Sequence, residues 1–262
     1  MKFSIVNGNR VEAFPKGKGI CICCNQETVA KCGSKIIHHW AHKTLEHCDN
    51  WWENETEWHR KWKSYFPIEW QEVIQYDKIS GEKHIADIKT DKDFVIEIQN
   101  SPMSTEELKS REKFYKRMLW IVNGEKFVNN FHILGELPNP RDKTFIDIAF
   151  KSTKKDHLGR GFYKYSENPD WKSSTDEIIL LRFHDYSEIK NEVEESYIGH
   201  HLFDWVKRRD VWFSSKTDVF IDFGGEVLWK LMKYDSEGLY CVRRIDKAYF
   251  IGKAIGENNM QS

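Results

Sequence analysis

Between residues 54 and 124 the apolar positions change period several times. Trp58, Trp62, Tyr65 and Phe66 recur at i, i+4, i+7 and i+8, and Pro67 stops the run, so this stretch predicts an amphipathic helix. Asn54 and Glu57 stand at capping-box spacing at its start. Alternating runs then predict strands near 69–79, 83–89 and 93–99, joined by turns at Ser80-Gly81 and Thr90-Asp91-Lys92. Beyond Pro102, Ser104 and Glu107 repeat the capping-box spacing. Leu108, Arg111, Tyr115, Met118 and Leu119 mark related faces of a second helix that leads into the strand "LWIVNG". Helix, three antiparallel strands, helix and strand make an α/β core.

The flanks read differently. Residues 1–50 carry Gly, Cys, His and Lys between short apolar runs, which suits small hairpins held by a metal. The prolines of "GELPNPRD" predict a linker, and beyond it lie a helix candidate at 198–209 and strand candidates in "DVFIDFGG", "EVLWKLMKY" and "GLYCVRRI". The tail "GENNMQS" reads as frayed. The expected division is an N-terminal zinc-knuckle-like region at 1–50, a core at 51–137 and an accessory α+β region at 138–262. Trp205, Lys207, Arg208, Arg209 and Trp212 would gather around one helix end there, a docking helix with a basic face or a surface for DNA.

Composition narrows the classes. Forty basic residues against 41 acidic ones leave a formal net charge of −1, so any surface for a polyanion must be local. No stretch approaches a membrane span and no signal-peptide pattern opens the chain; the expectation is a soluble, cytoplasmic protein without a membrane partner. Four of the six cysteines lie between residues 21 and 32, and in such a setting a cluster points to metal rather than to disulfides.

The acids of "HIADIKTDKDFVIEIQN" stand out. Val95, Glu97 and Gln99 share one face of their strand, and a turn pairing Lys89 with Asp93 would set Asp87 opposite Val95, with Glu97 as its diagonal neighbour. Two such carboxylates can converge on one hard cation, Mg²⁺ or Mn²⁺, with the Ile98 carbonyl as a further ligand and Gln99 directed at an attacking water. A solvated hairpin at a sheet edge accounts for the same spacing.

Context favours the metal. "HHWAH" at 38–42, "ETEWHRKWK" at 55–63, "HIADI" at 84–88, "EIQNS" at 97–101, and Arg111 with Tyr115 together resemble the competence protein CoiA-like branch of the PD-(D/E)XK nucleases, over about the first half of the chain. The resemblance implies a restriction-endonuclease-like core. Asp87 takes the Asp position, and Glu97-Ile98-Gln99 stands as E-x-Q where many members have E-x-K. Glu57 falls where the wider fold often has an acid contributing to the metal site. Arg111 and Tyr115, four apart on one helix, could hold a phosphate and stack a base, and Lys109, Lys113, Lys116 and Arg117 add local basic charge. His84 and His59 could touch substrate or metal, although a lone His more often packs.

Cys21 and Cys24 form C-x2-C, and His39 and His42 form H-x2-H, a tetrahedral zinc set with Cys48 as an alternative fourth ligand. Trp40 would anchor the small core. A closed knuckle that folds the N-terminus is the expected role, with Lys31 and Lys35 near a nucleic-acid backbone. The expected function is a metal-dependent nuclease acting on DNA in bacterial competence or defence. A catalytically degenerate nuclease-fold protein that binds nucleic acid or a partner is the alternative, and a protein partner or a homo-oligomer is expected beside DNA. A zinc hydrolase is weaker, because four ligands leave no open position.

Overall fold

The computed structural model describes residues 1–44, 48–51, 55–78, 80–151, 161–168, 182–235 and 238–256. Two compact units partition the chain: one gathers Met1–Asn123 with Val211–Thr217 and the residues from Ala248 on, the other Gly124–Asp210 and Asp218–Lys247. Residues on both sides of the division expected at 50 thus share a unit, and two later segments return to it. Both units are mixed α/β and mostly sheet.

The first unit opens with β1 (Phe3–Val6), β2 (Asn9–Glu12), β3 (Lys18–Ile20), β4 (Glu27–Lys31) and β5 (His39–His42), an antiparallel sheet in the order β2-β1-β3-β4-β5. Trp40 is 1% exposed and packs with Met1, Cys21 and Cys23, the anchor its position suggested. A Cβ at Gly17 would come within 2.8 Å of that indole, so only glycine lets β3 begin so close to the ring.

Helix α1 (Glu57–Ser64) follows, then β6 (Gln71–Tyr76), β7 (Lys83–Lys89) and β8 (Val95–Gln99) as an antiparallel meander. Helix α2 (Thr105–Tyr115) crosses over to β9 (Met118–Asn123), which pairs parallel with β8. Every residue of β8 and β9 is buried, as expected of a strand pair joined by a helical crossover. On α1 the apolar stripe buries Trp62, with Phe66 just beyond the helix end; removing the Trp62 indole would cost about 3–5 kcal/mol.

Two local expectations need correction. The cap of α1 is Thr56, whose hydroxyl accepts from the His59 amide while the His59 ring accepts from the Thr56 N–H; Asn54 lies outside the described residues. The turn after β7 is longer than three residues, since Thr90 N donates to Phe94 O at 2.9 Å and Lys89 pairs with Val95. Asp93 takes φ 58° inside that loop, a conformation that Asp tolerates better than most residues.

The second unit contains β10 (Phe131–Pro138), β11 (Ile148–Phe150), β12 (Gly161–Lys164), β13 (His184–Asp185), helix α3 (Lys190–Ser196), β14 (Tyr197–Trp205), β15 (Asp218–Asp222), β16 (Val227–Lys233) and β17 (Tyr240–Asp246). Its main strands run in the order β10-β14-β17-β16-β15, and β11-β12-β13 form a small separate sheet. The three strand candidates near the C-terminus form β15, β16 and β17. The helix expected at 198–209 is instead β14: Phe131 pairs with Trp205 and Ile133 with Phe203, so cross-strand burial overrides a weak helical period. Half of the expected linker "GELPNPRD" belongs to β10, which ends at Pro138. Trp205 and Trp212 are 5% and 3% exposed, hence packing residues rather than surface platforms. A last helix, α4 (Lys247–Ile255), precedes the tail, and residues 257–262, expected to fray, lie outside the described residues. No helix among the described residues is long and apolar enough to cross a membrane.

Candidate functional site

Asp87 sits at the centre of a row of acids. Extending the pairs Ile88–Ile96 and Lys89–Val95 by one residue sets Asp87 across from Glu97. On its other side Glu72 falls between Gln71 and Val73, whose partners are Ile88 and Ala86. Glu72, Asp87 and Glu97 therefore lie side by side on three adjacent strands, whose spacing is about 4.8 Å. The diagonal arrangement predicted from the sequence gives way to this closer one, because the longer loop shifts the register by two residues and so keeps each side chain on its face.

The strands themselves hold these carboxylates. Asp87 Oδ2 accepts from Ile98 N at 2.9 Å, and Glu97 Oε1 accepts from Asp87 N at 3.2 Å. Glu72 accepts from the Lys2 and Phe3 amides at 2.8–3.2 Å. Its backbone is left-handed, at φ 46°, a strained state for Glu that persists only where surroundings enforce it.

Two cations reach into the row, while Arg60 pairs with Glu55 and the N-terminal ammonium adds its charge near Glu72. Lys63 reaches in from α1: its ammonium lies 3.1 Å from Glu55, 3.1 Å from Glu72 and 3.0 Å from Asp87. Its side chain is 5% exposed. Burial disfavours the charged amine, yet Asp87, Glu72 and Glu55 outweigh it and hold the lysine well above its usual pKa. Arg111 reaches in from α2, with Nη1 3.1 Å from Glu97 Oε2 and Nη2 bonded to the Trp51 carbonyl at 2.9 Å and to Glu107.

The balance is unequal across the row. Burial alone would raise Glu72, but Lys63 brings it down to about 2. Glu97 goes the other way: burial and the neighbouring Asp87 push it up to about 8 against the opposing pull of Arg111.

These groups line a cavity of about 70 Å³, room for on the order of a few waters. Five acids face it, Asp49, Glu55, Glu72, Asp87 and Glu97, with Lys63 and Arg111 as side-chain cations, the N-terminal residue Met1, His59, and Tyr115 and Trp51 as aromatic walls. Such an acid excess in a small partly closed space suits a hard divalent cation.

Several expected site residues are placed elsewhere. Glu57 is exposed in the first turn of α1 and does not line the cavity, so Glu55 is the acid contributed by this segment; Glu57 instead favours the positive helix terminus. Gln99 is buried, but its amide donates to Ser101 O at 3.1 Å and it is not a lining residue. His84 is also buried away from the lining, bonded to Asp49 and Glu82 at 2.8 and 2.9 Å and stacked on Trp51 with centroids 3.3 Å apart. Arg111 and Tyr115 both reach the cavity. Arg111 is engaged with acids there, while burial and Glu97 hold the Tyr115 phenol well above its usual pKa.

A second cluster forms nearby in the same unit. Cys21, Cys24, His42 and Cys48 offer ligand atoms that all lie within 4.8 Å of one another. Cys24 Sγ is 3.2 Å from His42 Nε2 and Cys21 Sγ is 3.7 Å from Cys48 Sγ; zinc–sulfur arms of about 2.3 Å give a tetrahedral edge close to 3.8 Å. The Cys23 amide points at Cys21 Sγ at 3.3 Å, and Asn25 takes φ 62° to close the turn. This Cys3His group could hold zinc. It corrects the expected set: His39 bonds through Nδ1 to Ile37 O, and Cys48 takes the fourth place, because β5 alternates and its ends cannot both reach one point.

No protein-family model matches the chain, and neither does any curated protein or solved structure.

Sequence reasoning missed Lys63, Glu72, Glu55 and Asp49 as site residues. A signal for Lys63 exists: it stands four residues after His59, at the edge of the apolar stripe, where an ammonium is costly unless paired. Glu72 carries no such mark, because its backbone partners lie some 70 residues away, at Lys2 and Phe3, and its Lys63 pair forms only across the helix–strand turn.

Proposed function

We propose that the protein is a divalent-metal-dependent nuclease that hydrolyses DNA phosphodiester bonds, with Asp87 and Glu97 holding Mg²⁺ or Mn²⁺. The observation that carries this reading is the facing pair Asp87 and Glu97 lining an acid-rich cavity, with a raised Glu97 pKa. A cation bound there would supply positive charge to phosphate oxygens and acidify a water. The chain's own residues do the rest. Asp87 is pinned by Ile98 N and Lys63, so its carboxylate is held in one orientation. Lys63 holds Glu55, Glu72 and Asp87 together, and Arg111 orients Glu97 and is the cation closest to the raised acid.

The cavity admits a cation and waters but not a nucleotide, so a strand would lie across its mouth. Lys109, Lys113, Lys116 and Arg117 are exposed along and just beyond α2, a sequence-independent surface for phosphates. The resemblance of the motifs to the CoiA-like nucleases supports the DNA class and a role in competence or defence.

A second reading is favoured by a specific observation. Lys63 and Arg111 already neutralise oxygens of both Asp87 and Glu97, and Gln99 faces Ser101, so a degenerate nuclease fold that binds nucleic acid or a protein partner fits the same residues. Cleavage of labelled linear and circular DNA, with Mg²⁺ or Mn²⁺, by wild type, Asp87→Ala and Glu97→Ala separates them. Metal-dependent cutting lost in both variants supports the nuclease. Intact DNA binding that survives EDTA, with no cutting under either metal, supports the binder.

A further inference from the structure

The Cys3His cluster and the carboxylate cavity are joined at adjacent residues of the chain. Cys48 is the fourth ligand of the cluster, and the next residue, Asp49, is 7% exposed and lines the cavity. Its carboxylate accepts from Trp51 N at 2.9 Å, from His84 Nδ1 at 2.8 Å and from Ile85 N at 2.8 Å. Two of those donors belong to β7, the strand of Asp87. Trp51 then stacks on His84, and its carbonyl accepts from Arg111, which pairs with Glu97.

We infer that Asp49 and Trp51 are positioning residues through which a zinc ion on Cys48 holds Arg111 and β7 in place, so that the zinc site assembles the carboxylate site. The inference builds on the reading of the cavity as a divalent-cation site. Cys48 and Asp49 are adjacent, so their Cα atoms stand about 3.8 Å apart, and fixing one thiolate leaves the following carboxylate little freedom. Short hydrogen-bonded segments without a core of their own gain order from such a tie, since metal binding and folding are linked. The knuckle also meets β6 and β7 directly, through the packing of Cys21, Cys23 and Trp40 against Ile74 and Ile85 and a hydrogen bond of Lys83 Nζ to the Cys23 carbonyl at 2.7 Å. Outer groups that orient a ligand set affect metal affinity about 10–100-fold in known metal sites, and Arg111 stands in that relation to Glu97.

Hydrogen exchange of the full chain, zinc-loaded and after chelation, tests this without reference to cleavage. The amides of Trp51 and Ile85 both point at Asp49, and removing zinc is expected to speed their exchange at least tenfold while the β8–β9 amides stay protected. Asp49→Asn, which leaves all four zinc ligands intact, is expected to keep one zinc per chain by metal analysis yet to show the same faster exchange at Trp51 and Ile85. It is also expected to show about tenfold weaker Mn²⁺ binding by calorimetry. Unchanged exchange at both amides after zinc removal overturns the inference, as does an Asp49→Asn protein that matches wild type in exchange. Mn²⁺ binding absent from the zinc-loaded wild type would instead overturn the cation-site reading, while the exchange result still decides whether zinc orders the segment.

Discussion

Lys63 and Asp87 form an ion pair at 3.0 Å between a helix and a strand, and the same ammonium meets Glu55 and Glu72 at 3.1 Å each. One lysine thus bridges three acids in a site where its own side chain is 5% exposed, with Arg60 also on Glu55 and the N-terminal ammonium near Glu72. Removing it would take from Asp87 its ion-pair partner among the described residues and from Glu72 its strongest one, although Glu55 keeps Arg60, and losing a buried partner costs far more than losing a surface pair.

Lys63→Met is therefore expected to lower the unfolding free energy by about 3–5 kcal/mol. Urea denaturation measures it. Mn²⁺ should raise the melting temperature of this variant more than that of wild type, because a second cation can replace the lost charge. A loss below about 1 kcal/mol, with no difference in the Mn²⁺ effect, would show that the cluster is not held by Lys63.

Glu72 sets the acid limit of the first unit. Its folded pKa of about 2 lies below the ordinary carboxylate value of 4.5, with Lys63 overcoming the cost of burial. The group contributes stability that is complete above pH 4.5 and is lost as the pH falls toward 2, on the order of 3 kcal/mol. Glu72→Gln should flatten stability against pH in that window. Equal slopes for the variant and wild type would contradict the assignment.

Glu97 has the opposite sign. Burial and Asp87 raise it to about 8, so in the metal-free fold it holds a proton that the unfolded chain has released above pH 4.5. Stability from this group is complete at low pH and declines as pH rises toward 8. A cation must displace that proton. Mn²⁺ affinity is expected to rise between pH 6 and 8, with proton release seen as a buffer-dependent calorimetric enthalpy. Affinity that does not change with pH, together with no proton release, would place the metal elsewhere.

The zinc ligand set is open to a spectroscopic check. Co²⁺ in place of zinc should show the charge-transfer intensity of three thiolates, and Cys48→Ser should lower it while weakening metal retention at least tenfold. His39→Ala should change neither. Loss of the metal in His39→Ala would restore the two-Cys, two-His set.

How much was legible follows from where each interaction sits along the chain. The helices α1 and α2, the meander β6–β8 and the strand β9 were readable because their periods and turn residues lie within a few positions of each other. Asp87 and Glu97 were legible as a pair for the same reason. Their register was not, since the loop closed by Thr90 and Phe94 looks like a shorter turn. The sequence also pointed to a helix at 198–209, where "YIGHHLFDW" becomes β14 only because β10, some 65 residues earlier, supplies the partner strand.

By itself, the order of residues determined the local elements, a Cys/His cluster that could hold zinc and two acids on neighbouring strands of one hairpin, while their facing register came from the fold. Only the tertiary structure decided that Lys63 and Arg111 complete the charge around them, that Cys48 rather than His39 joins the cluster, and that Glu57 stays outside while Glu55 enters. The physical reason is that burying a charge is favourable only beside an opposite charge or donor. Those partners are chosen by proximity in space, which spacing along the chain does not encode.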